Sequence, residues 1–156
     1  MIAKTINILL ADDDKDDCFM FEEVLSELSI PTKLTTVSNG EQLCQLLDEN
    51  EGYIPDILFL DLNMPRKNGF ECLEEIRNTD KFKSLPIIIF STSIDEVIAD
   101  RLYKSGAHFY ICKPPEYLFL KNVIHQALEL TFNKNNLPIE QTSRDKFVIK
   151  TLLQVP

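Results

Sequence analysis

Ile57-Leu58-Phe59-Leu60-Asp61-Leu62-Asn63-Met64-Pro65 sets the reading of the whole chain. Four uninterrupted apolar residues suit a strand buried on both faces, the habit of parallel sheets. The run stops on a carboxylate, and open α/β sheets bind their ligands just beyond the carboxyl ends of strands. Asp61 alone carries little weight, because aspartate is also a common turn and cap residue. Its weight comes from what the rest of the chain repeats.

Three further apolar runs end on polar residues. Ile6 to Ala11 leads into Asp12-Asp13-Asp14, Pro86-Ile87-Ile88-Ile89-Phe90 into Ser91, and Phe109-Tyr110-Ile111-Cys112 into Lys113-Pro114. A fifth, Lys33 to Val37, is rich in β-branched residues. Stretches of helical period lie between them. Phe19, Phe21, Val24, Leu25 and Leu28 mark a helix over 16–28; Leu43, Leu46 and Leu47 mark the second; residues 70–77 the third. Val97, Ile98, Leu102 and Tyr103 mark the fourth, with Gly106 as its C-cap, and residues 118–130 form the fifth. Strict alternation of this kind predicts an α/β fold. The expected architecture is a five-stranded parallel sheet in a doubly wound, flavodoxin-like three-layer sandwich with five helices.

Bulk properties narrow the class. The 156 residues suit one domain, expected over residues 5–132. A net charge of -9 argues against nucleic acid, whose phosphates would be repelled. No stretch is long and apolar enough to span a bilayer, and the first residues lack a signal peptide's pattern, so a cytoplasmic setting is expected. Cys18, Cys44, Cys72 and Cys112 are spread without close pairs, and His108 and His125 are the two histidines. That spacing argues against zinc and for small buried apolar residues in a reducing compartment.

Asp12, Asp13, Asp61, Ser91 and Lys113 all fall at or just past expected strand ends, so the fold can bring them together. Clustered carboxylates repel and raise one another's pKa values. A hard divalent cation relieves this, and oxygen-only ligands suit Mg²⁺, with Mn²⁺ also acceptable; Asn63 can add its backbone carbonyl. An aspartate beside such an ion can attack phosphorus and form an aspartyl phosphate. Lys113 offers an ammonium, and Ser91 a hydroxyl, to the transferring phosphoryl oxygens.

In order and spacing, residues 5–132 resemble the receiver domain of two-component response regulators. The resemblance implies Mg²⁺ binding by Asp12 and Asp13, phosphoryl acceptance by Asp61, and a metal-facing carbonyl at Asn63. It assigns the family's hydroxyl to Ser91, its lysine to Lys113, and its switch aromatic to Tyr110. Pro114 agrees with the proline that often follows the lysine. Ser91 stands where threonine is commoner, Thr92 where alanine is usual, and Ser93 where the family tunes phosphoryl lifetime. The implied partners are a sensor histidine kinase or histidine phosphotransfer protein and a downstream protein. Enzyme-like activity is then limited to the domain's own phosphorylation and dephosphorylation. Residues 80–86 and 90–93 look similar to small single-domain receivers paired with phytochrome-type or hybrid sensor kinases.

Other readings fit less well. Asp14 is expected to cap the first helix, and Asp16 and Asp17 to form its acidic first turn. A haloacid-dehalogenase-like phosphohydrolase needs a second aspartate where Asn63 stands, and an amide cannot shuttle a proton. A dinucleotide-binding turn needs glycines where Asp12-Asp13-Asp14 stands. A receiver that acts as an interaction module without phosphorylation would not need the full set of site residues. Residues 133–156 read as a linker, Asn133 to Pro138, and an apolar tail, Phe147 to Leu153, covering its own domain or a twin subunit in a homodimer. With 24 residues after 132, output is expected through protein contacts or onward phosphotransfer, not a DNA-binding module.

Overall fold

A computed structural model describes residues 4–49, 52–92, 95–132 and 140–149. The elements alternate as β1 (Ile6–Ala11), α1 (Lys15–Glu27), β2 (Thr32–Val37), α2 (Gly40–Glu49), β3 (Ile57–Leu60) and α3 (Gly69–Arg77). They continue as β4 (Ile87–Ser91), α4 (Glu96–Lys104), β5 (Phe109–Cys112), α5 (Tyr117–Thr131) and β6 (Val148–Ile149). Every strand pair is parallel, and the sheet order is β2-β1-β3-β4-β5-β6.

Among the described residues the sheet has six strands where the apolar pattern predicts five. The added one is two residues of the tail, paired beside β5 with Tyr110 opposite Val148 and Ile111 opposite Ile149. A two-residue strand has no periodicity to read, which is why the sequence does not announce it. Phe147 is fully buried, so this tail segment covers its own domain. The linker Asn133 to Pro138 and Leu152-Leu153 lie outside the described residues.

Two cores flank the sheet. On one face Leu43, Leu47, Cys72, Leu73, Ile76, Ala99 and Leu102 pack from α2, α3 and α4 onto Leu9, Leu58, Leu60 and Ile89. On the other, α1 and α5 bring Phe21, Val24, Val123, Ile124 and Ala127 onto Ile8, Leu10, Phe59 and Phe90. Phe21, Phe59 and Phe90 meet edge to face at ring separations of 4.9–6.1 Å, the arrangement aromatic quadrupoles favour.

Helix faces differ from expectation at two large residues. Phe19 is 63% exposed, because Phe21, Val24, Leu25 and Leu28 already complete a helical stripe and Phe19 falls on the opposite side. Val97 is likewise exposed, and Ala99 and Leu102 carry the buried face of α4. Cys44 and Cys72 are buried as expected, whereas Cys18 and Cys112 are half-exposed; all four are free thiols.

Arg77 closes the amino end of the sheet. Its guanidinium donates to the carbonyls of Gly106 (3.0 Å), Phe82 (2.8 Å) and Leu85 (2.7 Å), and burial lowers its pKa to about 10. Gly106 sits at φ 98°, the left-handed conformation that ends α4.

At the other end, Gly69 opens α3 against the backbone of the site. A Cβ there would stand 2.4 Å from the Asp61 carbonyl oxygen and 2.8 Å from Leu62 Cα, atoms that cannot rotate away. Gly69→Ala should therefore lower stability by about 1–3 kcal/mol in urea denaturation, the usual range for overpacking. An unchanged midpoint would mean that α3 can shift without cost.

Candidate functional site

The sheet order reverses between β1 and β3, and the carboxyl ends of those two strands form the crevice. The Asp61 N–H donates to the Ala11 carbonyl at 3.0 Å, and the Asp12 N–H to Val37 at 3.0 Å, which set both carboxylates at the crevice floor. Asp12 is 2% exposed and Asp61 6%, while Asp13 faces solvent. One carboxylate oxygen from each of Asp12, Asp13 and Asp61 lies within 4.8 Å of the other two.

Lys113 reaches this cluster from the end of β5. Its Nζ stands 2.6 Å from Asp12 Oδ2, 2.9 Å from Asp17 Oδ2 and 3.8 Å from Asp61 Oδ2. The lysine backbone N–H donates to the Ser91 carbonyl at 2.7 Å, so the ends of β4 and β5 are tied together here. Ser91 is itself buried at the last position of β4.

Burial pushes the Asp61 carboxyl up to about 6; Lys113 opposes this, and the neighbouring Asp12 adds to it. Burial also raises Asp12 above the ordinary carboxylate range, against hydrogen bonds from Lys113 and the Asp14 backbone. The Lys113 ammonium rises above the ordinary lysine value: burial disfavours its charge, but Asp12, Asp17 and Asp61 together outweigh it. Carboxylates held so close, with oxygen as the sole donor type, suit a hard divalent cation.

Local structure keeps the crevice open. Asp14 caps α1, accepting from the backbone N–H groups of Asp16 and Asp17, so the chain turns away directly after Asp12-Asp13. The Asn63 N–H points back to Asp61 Oδ1 at 3.4 Å, and Asn63 is exposed. Asn68 caps α3 in a reciprocal capping box with Glu71. Thr92 is exposed, its carbonyl accepting from Cys112 Sγ at 3.5 Å; Ser93 lies outside the described residues.

The fold thus brings Asp12, Asp13, Asp61 and Lys113 into one cluster, with Ser91 tied to it through the lysine backbone. Tyr110 is placed differently. It is 1% exposed and packs in the α2–α3–α4 core, its ring 6.4 Å from that of Phe147. Asp17 is the site residue that sequence reading missed, having been expected only to charge the first turn of α1. The signal was its place three residues after the Asp14 cap, on the turn that faces the strand ends.

Comparison with known proteins agrees with this geometry. The family described as the response regulator receiver domain matches residues 8–129. Response regulator Rcp1 of Synechocystis is 33% identical over 112 residues, covering 68% of this chain and 75% of that protein. Protein RcaC of Microchaete diplosiphon is 30% identical over 122 residues, covering 78% of this chain but 18% of RcaC. The chain thus spans less than a fifth of that longer relative. Among solved structures, the phosphorylated cyanobacterial phytochrome response regulator RcpA aligns with a TM-score of 0.76 at 29% identity, covering 81% of this chain and 94% of that one. The Mn²⁺-bound form of Rcp1 aligns at 0.75 with 27% identity, covering 86% and 99%.

Receiver domains are signalling modules of two-component systems that work with histidine kinases and downstream proteins, and with its fold, its acidic crevice and a match over most of its length this chain belongs to the response regulator receiver domain family.

Proposed function

We propose that this receiver takes a phosphoryl group onto Asp61 from a phosphohistidine of a sensor kinase or phosphotransfer protein. The observation that carries the reading is the Asp12, Asp13 and Asp61 oxygens within 4.8 Å of one another, with Lys113 Nζ 3.8 Å from Asp61. The phosphorylated state of RcpA and the Mn²⁺-bound state of Rcp1 support it, as properties of those two proteins.

Asp12, Asp13, Asp61 and the Asn63 carbonyl would hold Mg²⁺, with Mn²⁺ as the alternative; when bound, the ion supplies charge neutralisation for the phosphoryl oxygens. A carboxylate oxygen of Asp61 forms the new O–P bond as the N–P bond to the donor imidazole breaks. The nucleophile must be ionised, and its pKa of about 6 leaves most of it so at neutral pH. Lys113 follows the charge: its ammonium leaves part of its present carboxylate contacts for a phosphoryl oxygen, and the Ser91 hydroxyl donates to another. No general base is needed, because the attacking oxygen carries no proton. Loss of the group by attack of water on the acyl phosphate is self-directed, and the domain turns over no other substrate.

Output follows from a shift between two conformations of the α4–β4–β5 surface, sensed by Ser91 and Tyr110. Tyr110 is buried in the α2–α3–α4 core beside Phe147, where a change at the end of β5 would reach it. The receiver of this message is a downstream protein; the net charge of -9 disfavours nucleic acid. Among the described residues no helix is long and apolar enough to cross a membrane, and a cytoplasmic site of action accords with the reading.

Intact mass after incubation with acetyl phosphate and Mg²⁺ should show one phosphoryl adduct, absent without the ion and absent in Asp61→Asn. An adduct on a folded Asp61→Asn protein would place the acceptor elsewhere.

The raised pKa of Asp61 has a second measurable outcome. A folded value of about 6 against an ordinary 3.8 means that the native state binds this proton more tightly than the unfolded chain. Its stabilising contribution is present below the unfolded value and is lost as pH rises through 6. Without divalent ions, the Asp61 contribution should fall by on the order of 1 kcal/mol between about pH 5 and about pH 8. Millimolar Mg²⁺ should then raise the melting temperature more at about pH 8 than at about pH 5, since protons and cation compete for the same oxygens. An equal rise at both values would show that the ion stabilises the fold from some other place.

A further inference from the structure

Two of the four thiols meet across the seam between α2 and α3. Cys44 comes from α2 and Cys72 from α3, and both belong to the core on that face of the sheet. The Cys44 thiol is within hydrogen-bonding reach of the Cys72 sulfur and of the Glu75 carboxylate. Lys67 Nζ stands 3.7 Å from Cys44 Sγ and 2.8 Å from Glu75 Oε1, and the Cys72 thiol donates to the Gly40 carbonyl at 3.7 Å. The helices come this close because Gly40 has no side chain: a Cβ there would stand 2.7 Å from Cys72 Sγ. The Lys67 side chain is 25% exposed, and a small cleft lined by Cys44, Asp48, Glu75 and Thr79 runs along the seam, so small solutes can reach the sulfurs.

These are the parts of a reactive dithiol. The thiolate is the nucleophilic form of cysteine, and a neighbouring ammonium favours it. The bond donated by Cys44, with Lys67 adding to it, holds the Cys72 thiol below the ordinary cysteine value against burial. The same bond, with burial and Glu75, pushes the Cys44 thiol up. The pair thus divides into an attacking sulfur and a second thiol that keeps its proton beside it. The other two thiols have no such division. Burial, followed by the Asp12 carboxylate, raises Cys18 to about 11, and Cys112 donates to the Thr92 carbonyl.

We propose that Cys44 and Cys72 are a peroxide-sensitive dithiol that closes to a disulfide between α2 and α3. The Cys72 thiolate attacks one oxygen of hydrogen peroxide and the O–O bond breaks, leaving Cys72 as a sulfenic acid. The departing hydroxide takes up the proton that Cys72 had released. Cys44 then gives its proton to Glu75 as its sulfur attacks that of Cys72. The S–S bond forms, the S–O bond breaks, and the second hydroxide leaves as water with the proton from Glu75. Two electrons pass from the sulfurs to the peroxide, and two thiols and one peroxide yield one disulfide and two waters. In a reducing compartment such a pair stays open until peroxide rises, the usual pattern for intracellular disulfides. Once closed, the bond ties α2 to α3, whose first residue, Gly69, abuts the Asp61 carbonyl.

The test uses the full chain with no substitution. After brief exposure to hydrogen peroxide, the remaining thiols are alkylated in denaturant and the protein is mapped by mass spectrometry. Cys18 and Cys112 should carry the label, and Cys44 and Cys72 should appear in one linked pair of peptides that dithiothreitol releases. The oxidised chain should also unfold at higher urea than the reduced one, because the bond restricts the unfolded state. Lys67→Gln should slow closure about fivefold or more, and Lys67→Arg should restore most of the rate, since the positive charge favours the thiolate. Label on all four cysteines of the folded chain overturns the proposal. So does a bridge that joins two chains or that includes Cys18 or Cys112. Closure at the same rate in the urea-unfolded chain overturns it as well, because the fold would then contribute nothing to the reaction.

Discussion

One buried ammonium holds the crevice together. Asp12 and Asp61 are nearly closed to water, lie at the ends of adjacent strands, and carry the same charge. Left to themselves they would push apart or take up protons. Lys113 reaches them from β5, with three N–H donors to share among Asp12, Asp17 and Asp61. Its contact with Asp61 is the longest of the three. The carboxylate proposed to accept the phosphoryl group is therefore the one this ammonium neutralises least.

The rest of the molecule divides along the same axis. At the carboxyl ends of the strands are loops, caps and titratable groups. At the amino ends Arg77 clamps three carbonyls and approaches His108 Nδ1 at 3.3 Å. Between them the two apolar faces of the sheet give each strand end a fixed seat. A charge change at the carboxyl end, as proposed, would act on strand ends seated between these two cores.

Features carried by periodicity or by residue type at strand ends could be read from sequence: the five continuous strands, the α/β alternation, Asp12, Asp61, Ser91 and Lys113. Those set by three-dimensional neighbours could not. Phe19 and Val97 look like core residues because they are apolar and near the right spacing, yet a helix face has room for one stripe. Asp17 looks like ordinary first-turn acidity until Lys113, 96 residues away, is brought against it. Arg77 carries no pattern at all; its partners are backbone carbonyls, which every residue has. The sixth strand is too short for any period, and only the apolar character of Phe147 to Leu153 hinted that the tail had a place to go.

That short strand also decides how the sheet meets other molecules of its kind. A bare β5 would offer a row of unpaired amide groups, a template on which neighbouring chains can stack. Val148 and Ile149 of the tail pair along that row. On the opposite border β2 leaves Lys33 exposed, a charge that disfavours pairing with a neighbouring chain. Both borders are thus blunted against polymerisation. For a protein rich in continuous apolar strands, this bears on how much of it a cell can hold in solution.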